Sequence, residues 1–262
     1  MDIKGKTILI TGGASGIGFE SARQFLAEGA NVIITGRNQA KLDAAKKMLP
    51  ALTVIKSDVE NENDAQSLLE KVTSLGGIDI LYNNAGVGSP ALNLGIADDQ
   101  VLKNAVYEMN VNYFGVIRLT NLFIDMLKSG KESAIINTTS ILSLVPALEE
   151  PTYSATKAAL SFYTKLLRKN LEIINSTVKV FELLPPVVET EMTAKRTDKK
   201  MAPEELVKTL IKGIKKDQFT IRAGDTKALY IVSRFFPKIA FDLVNPKKIY
   251  PGLKPSIKLH TK

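Results

Sequence analysis

The sequence has no cysteine, no tryptophan and one histidine, His260. Without thiols there can be no disulfide, no cysteine nucleophile and no thiolate metal site, and a lone imidazole cannot build a histidine metal cluster. No metal site is therefore expected. Long apolar runs are missing too. The longest uncharged stretch, 80–97, is interrupted by Asn83, Asn84, three glycines and Pro90, which hydrocarbon would not accept. The N-terminus carries Asp2 and only one short apolar run, well below a secretory signal. These absences describe a cytoplasmic chain. What is present is ample: 262 residues, 45% of them apolar, suffice for one large core without staples.

The formal charge of +8 invites a nucleic-acid reading until it is located. Up to Ala194 the chain carries a net −3, and the remainder carries +11. A nucleic-acid binder would stripe its charge through the fold, so none is expected as a partner. The excess belongs to the C-terminal segment.

The first two hundred residues alternate between short β-branched runs (7–11, 31–35, 52–55, 78–81, 134–137 and 178–183) and longer stretches of helical periodicity. Two of the helices are readable at 61–75, with Asn61 as N-cap, and at about 152–174, with Ala158, Leu160, Phe162, Leu166 and Leu167 as its buried set. Strand–helix alternation implies parallel strands, right-handed crossovers and helices on both faces. In such a sheet, ligands bind beyond the carboxyl ends of the strands.

After the first strand comes Thr11-Gly12-Gly13-Ala14-Ser15-Gly16-Ile17-Gly18, opening into a helix over 19–28. Glycines allow a tight turn, and a helix N-terminus offers unpaired N–H groups to a pyrophosphate, so a dinucleotide is the expected ligand. The second strand ends in Thr35-Gly36-Arg37-Asn38. An acid there would repel a 2′-phosphate, whereas a guanidinium can clamp it, which favours NADP(H) over NAD(H). A solvated surface arginine is the alternative, since Ser15 adds no second cation. Asp58, after the third strand, suits either an adenine amino group or an N-cap, and Asn83-Asn84-Ala85-Gly86 lets a flat ring pass the backbone.

Tyr153 and Lys157 stand at i and i+4 on a helix, where an ammonium can lower the pKa of a phenol acting as general acid. Spacing alone is weak, because Tyr250 and Lys254 repeat it. There, however, Pro251 and Gly252 forbid the helix. Ser140, after the fifth strand, could donate to a carbonyl or serve as a turn former.

The ordered set Thr11–Gly18, Asn83–Gly86, Ser140 and Tyr153-Ser-Ala-Thr-Lys157 resembles the short-chain dehydrogenase/reductase family over about residues 4–195. The resemblance implies Tyr153 as general acid/base, Lys157 as holder of the nicotinamide ribose, Ser140 polarising the carbonyl, and Asn112 holding a relay water. It also implies a cofactor site formed by Gly12, Ser15, Gly16, Ile17, Gly18, Arg37, Asp58, Val59, Asn84, Ala85 and Gly86, together with Tyr153, Lys157, Val188 and Thr190. Where the family shows Pro-Gly after the sixth strand, this chain has Pro185-Pro186. The phrase Leu183-Leu-Pro-Pro-Val-Val-Glu-Thr-Glu-Met192 is similar to a bacterial branch of DltE type, associated with D-alanylation of teichoic acids.

The expectation is an α/β, doubly wound Rossmann-type three-layer sandwich with a parallel sheet of about seven strands. It comprises a catalytic domain, 1–228, and a basic amphipathic extension, 229–262. The expected activity is NADP-dependent hydride transfer on a small carbonyl or alcohol substrate. The alternative is a cofactor-binding scaffold in an envelope-associated complex. The pocket is expected between the 142–152 loop, lined by Leu142, Leu144, Val145, Pro146 and Leu148 with Glu149 and Glu150 at its rim, and a mobile lid at 189–202. Phe114, Ile117, Leu160 and Tyr163 suit a homodimer or homotetramer. Residues 234–262, basic and rich in Phe and Ile, suit peripheral contact with the inner face of a membrane, a partner subunit, or a helix on its own domain.

Overall fold

A computed structural model of the chain describes residues 1–89, 93–194, 196 and 199–253. The expected alternation is present: β1 (Thr7–Thr11), α1 (Gly16–Ala27), β2 (Asn31–Gly36), α2 (Gln39–Met48), β3 (Thr53–Lys56), α3 (Glu62–Ser74), β4 (Ile80–Asn83), α4 (Gln100–Met109), α5 (Gly115–Ser129), β5 (Ala134–Thr138), α6 (Pro151–Ile173), β6 (Lys179–Leu184), α7 (Pro203–Lys215), β7 (Thr220–Arg222), α8 (Thr226–Phe235) and α9 (Pro237–Val244). The strands form one all-parallel sheet in the order β3-β2-β1-β4-β5-β6-β7. The seventh strand, only three residues long, is the one that periodicity did not locate.

Side-chain alternation along each strand divides the core into two layers. Ile8, Ile10, Ile34, Tyr82, Ile136 and Phe181 face one set of helices. Leu9, Ile33, Leu81, Ile135 and Val180 face the other, where Phe123 of α5 meets them. Polar caps start the helices where the sequence changes register. Asn38 accepts from Lys41 N at 3.0 Å and Asn61 from Asp64 N at 3.0 Å. Prolines open α6, α7 and α9, where their missing N–H is no loss.

The strand order reverses between β1 and β4, and the loops leaving those two strands are fastened together. Thr11 Oγ1 accepts from the backbone N–H of both Asn84 and Ala85 at 3.0 Å. That switch point is where a crevice must open.

One expected helix face is corrected. Leu160 is buried, but Phe162 and Leu166 are 68% and 63% exposed. The buried side of α6 instead carries Ser154, Thr156, Lys157, Ser161 and Thr164 beside Leu160 and Leu171. Leu160, expected both in the buried set of this helix and in an interface, is buried, whereas Phe114 of the same interface set is exposed. The expected boundary at 228 falls within α8. Residues 254–262 of the expected extension, with Lys254 and His260, lie outside the described residues, as do 195, 197 and 198 of the expected lid. Among the described residues no helix is long and apolar enough to cross a membrane.

Candidate active site

A cleft of about 730 Å³ runs along the carboxyl ends of the strands. At its floor, Gly12 has φ +63°, and a Cβ there would stand 2.9 Å from Ala85 Cα, so only glycine lets the β1 and β4 loops touch. Gly18 lies still closer, since its added Cβ would meet Gly12 O at 2.2 Å. Asn84 closes this knot by donating to Thr11 O at 3.1 Å and Gly12 O at 3.3 Å. Helix α1 begins at Gly16, one turn before the expected start, and Ser15, its N-cap residue, makes no side-chain capping bond. The first-turn N–H groups and their dipole end thus point into the cleft, which is the environment a pyrophosphate requires.

At the far end of the cleft lie Arg37, Asn38, Lys41, Asp58 and Val59. Arg37 donates to Tyr107 Oη at 2.5 Å, with its guanidinium 5.9 Å from the ring centre. Lys41 reaches across the cleft to Glu191 Oε2 at 2.5 Å. Asp58 does not cap α3, because Asn61 does. Its Oδ1 accepts from Glu60 N at 3.1 Å, while Gly115 of α5 packs on Val59.

At the middle of the cleft stand Ser140, Tyr153 and Lys157. Lys157 is buried and donates to Thr138 O at 3.0 Å, with Nζ 5.6 Å from the centre of the Tyr153 ring. Burial without a carboxylate partner lowers its pKa to about 8. Tyr153 moves the opposite way. Burial, first, and then the negative charge of Glu150 push the phenol well above its ordinary value, against a hydrogen bond with Ser140 that pulls it down. The phenol is consequently a fully protonated donor at neutral pH.

Asn112 occupies a π-helical turn, Asn110–Phe114, between α4 and α5. Such turns interrupt the regular backbone ladder and frequently mark functional sites. Its side chain is fully engaged: Oδ1 accepts from Val87 N at 2.8 Å, and Nδ2 donates to Val87 O at 2.9 Å and Thr156 Oγ1 at 3.0 Å. It joins the β4 loop to α6, the helix that carries Tyr153 and Lys157. A Cβ on Gly86 would lie 3.3 Å from Asn112 Oδ1 and 3.4 Å from Lys157 Nζ. Glycine there keeps open the space a ribose would need, so these residues fit a nicotinamide dinucleotide.

On the substrate side, Ile141, Leu142, Pro186, Val187 and Met192 form apolar walls. Leu144 and Val145, expected to line this pocket, turn away and pack beneath α8 and α9, whose apolar inner face captures them. Of Leu142, Leu144, Val145, Pro146 and Leu148, only Leu142 lines the cleft. Glu150 does reach the rim, where Arg196 donates to its Oε2 at 2.7 Å. The base of the 189–202 segment is zipped by Met201 N to Val187 O at 2.8 Å and Glu189 N to Met201 O at 3.0 Å. Val188 and Thr190 line the cleft as expected, and Pro186, standing where the family shows glycine, lines it beside them.

Tyr107, Lys41 with Glu191, Arg196 and the Thr138 carbonyl were not anticipated. Each pairs with a group far away in the chain, and local spacing carries no signal for that.

Residues 6–201 match the family model for short chain dehydrogenases. The chain is 33% identical over 255 residues to the uncharacterized oxidoreductase DltE of Bacillus subtilis (strain 168), covering 95% of this chain and 100% of that protein. Among solved structures, a short chain dehydrogenase from Burkholderia cenocepacia J2315 in complex with NADP superposes with a TM-score of 0.82 at 26% identity, covering 93% and 99% of the two chains. A 3-ketoacyl-(acyl-carrier-protein) reductase from Brucella melitensis complexed with NADH gives 0.74 at 27% identity over 80% and 91%. With this fold, this cleft and these matches, the chain belongs to the short-chain dehydrogenase/reductase family, oxidoreductases that act on carbonyl and alcohol groups with a nicotinamide cofactor.

Proposed function

We propose that the protein is a cytoplasmic NADPH-dependent reductase of small, largely apolar carbonyl compounds, with Tyr153 as the general acid. The observation that carries this reading is the Tyr153 phenol, which lines the cleft beside Ser140 and Lys157 and is pushed above its ordinary pKa by burial, first, and by the negative charge of Glu150. A donor of that kind suits the protonation of an oxygen that gains charge as the carbonyl carbon accepts hydride. The cofactor, when bound, would supply that hydride from its nicotinamide C4. Ser140 holds the carbonyl oxygen toward the phenol, while Lys157 binds the ribose. Asn112, by joining Val87 to Thr156, fixes the face on which the three catalytic groups sit.

For the rest of the cofactor, Gly12, Ser15, Gly16, Ile17 and Gly18 take the pyrophosphate, Asp58 and Val59 the adenine, Asn84, Ala85 and Gly86 the ribose, and Val188 and Thr190 the carboxamide. The preference for NADPH is supported by two cations lining the cleft, Arg37 directly after β2 and Lys41 in the first turn of α2, where no carboxylate follows the strand directly. Each has a weak partner now, a phenol and an exposed carboxylate, that a 2′-phosphate would replace. A homodimer or homotetramer through α5 and α6 is supported by the exposed Phe114, Phe162 and Leu166.

The test is NADPH oxidation by purified protein against a panel of aldehydes, ketones and 3-oxoacyl thioesters. We expect turnover with part of the panel, and a loss of about 10²–10⁴-fold in Tyr153→Phe with NADPH binding retained. Tight NADPH binding without turnover of any carbonyl or alcohol would leave a cofactor-binding scaffold as the reading instead.

A further inference from the structure

Helices α8 and α9 meet at an elbow, Phe235-Phe236-Pro237, and form a two-sided hairpin. The inner side, Leu229, Val232, Ala240, Phe241 and Val244, packs on Ile141, Leu144 and Val145 next to the cleft. Asn245 locks it there, accepting from Leu148 N at 2.7 Å and donating to Pro146 O at 3.0 Å. Among the described residues the outer side has no such neighbour. Ile231 and Phe235 stand at i and i+4 on α8, Ile239 and Leu243 at i and i+4 on α9, and Phe236 bridges them. All five are 54–74% exposed. Five large apolar side chains within thirteen residues are far more than the scattered exposure of an ordinary surface.

Cations border this ridge: Lys227, Arg234 and Lys238 on the helices, then Lys247 and Lys248, against Asp225 and Asp242. Among the described residues, none of the five cations pairs with a carboxylate within 4.0 Å. An apolar ridge flanked by uncompensated cations has two requirements, an apolar medium for the ridge and anions beside it. A second copy meeting this face across a two-fold axis would supply the first and violate the second, since the same cations would oppose each other. A nucleic acid would supply the second and not the first.

We propose that the α8–α9 elbow docks on an anionic lipid surface, with Ile231, Phe235, Phe236, Ile239 and Leu243 entering the interface and the flanking lysines and Arg234 on the headgroups. Point substitutions on the outer side test this, because they leave the inner face and Asn245 in place. The full chain and its Phe235→Ser/Phe236→Ser variant are sedimented with vesicles of phosphatidylcholine alone or with about 30% phosphatidylglycerol. We expect at least tenfold more of the intact chain on the anionic vesicles, release on raising salt from about 0.05 to about 0.5 M, and at least a tenfold loss in the variant. NADPH binding and the melting temperature of the variant should match the parent. No vesicle binding by the intact chain, equal binding by the variant, or equal binding to neutral vesicles overturns the proposal. So does a variant that only loses oligomer mass in light scattering, or only loses retention of an RNA oligomer. Sedimentation needs no turnover, so it stands or falls independently of the reductase reading.

Discussion

Lys157 is the residue that costs the fold most visibly. Its ammonium is buried, with a backbone carbonyl and no carboxylate for company, and its pKa falls from 10.5 to about 8. Between those values the unfolded chain holds more protons than the folded one, so stability attributable to this group rises with pH from about 8 to about 10.5. Below pH 8 the penalty is complete, on the order of 3 kcal/mol. Lys157→Met should therefore be more stable than the parent at pH 7, by about 1–3 kcal/mol after loss of the Thr138 hydrogen bond. That advantage should shrink toward pH 10.5, while activity is lost. Urea unfolding of both proteins at pH 7, 9 and 10 measures it, and the other titrating lysines and tyrosines cancel in the difference. A variant less stable at every pH would show that Lys157 holds the fold together instead. The sequence showed the Tyr153–Lys157 spacing but not this penalty, because the spacing reports a shared helix face and says nothing of how deeply that face is buried.

At the scale of elements, the strands were legible because β-branched runs between helical stretches have few other uses, and their observed limits shift by only one or two residues. The element where apolar periodicity fails is α6: it predicts Phe162 and Leu166 inward with Leu160, but only Leu160 of the three is buried, and a hydroxyl-rich face turns in beside it. Those hydroxyls are tolerable only because the opposing elements supply partners: Thr164 accepts from Asn137 Nδ2 at 3.0 Å and Thr156 from Asn112 at 3.0 Å. A polar partner on another strand or helix is invisible to periodicity, which assumes that buried means apolar. The α8–α9 hairpin poses the same problem from outside. Asn245, almost wholly buried, supplies both ends of its contact with the substrate-side loop. Asn245→Ala would leave Leu148 N–H and Pro146 C=O without partners, at about 1–3 kcal/mol for each that water cannot reach. We expect a lower melting temperature, faster amide exchange over 141–148 and a raised KM for the carbonyl, with NADPH affinity little changed. Exchange unaltered in that loop would mean the hairpin merely rests on it.

The whole molecule is organised around one crevice to which six of the seven strands contribute a loop, so cofactor binding should report on the folding of the entire sheet. A ligand at 100 times its Kd stabilises a protein by about 2.7 kcal/mol. For a chain of this size each kcal/mol is about 2–4 °C in Tm, which gives about 5–11 °C. The charge map decides which dinucleotide does so. The body up to Ala194 is slightly acidic, so a 2′-phosphate finds no general attraction there and depends on Arg37, just after β2, and Lys41, in the first turn of α2. A charge-assisted hydrogen bond lost from such a phosphate is about 1.5–3 kcal/mol, or about 10–150-fold in affinity. At equal concentrations, NADPH should raise the Tm more than NADH does. Arg37→Ala should abolish most of that difference while leaving the NADH shift intact, and Lys41→Ala should remove a smaller part, since Lys41 must first leave Glu191. Equal shifts from both dinucleotides in the parent, or an Arg37→Ala protein that still favours NADPH, would move the 2′-phosphate away from β2 and make Arg37 a surface arginine resting on Tyr107.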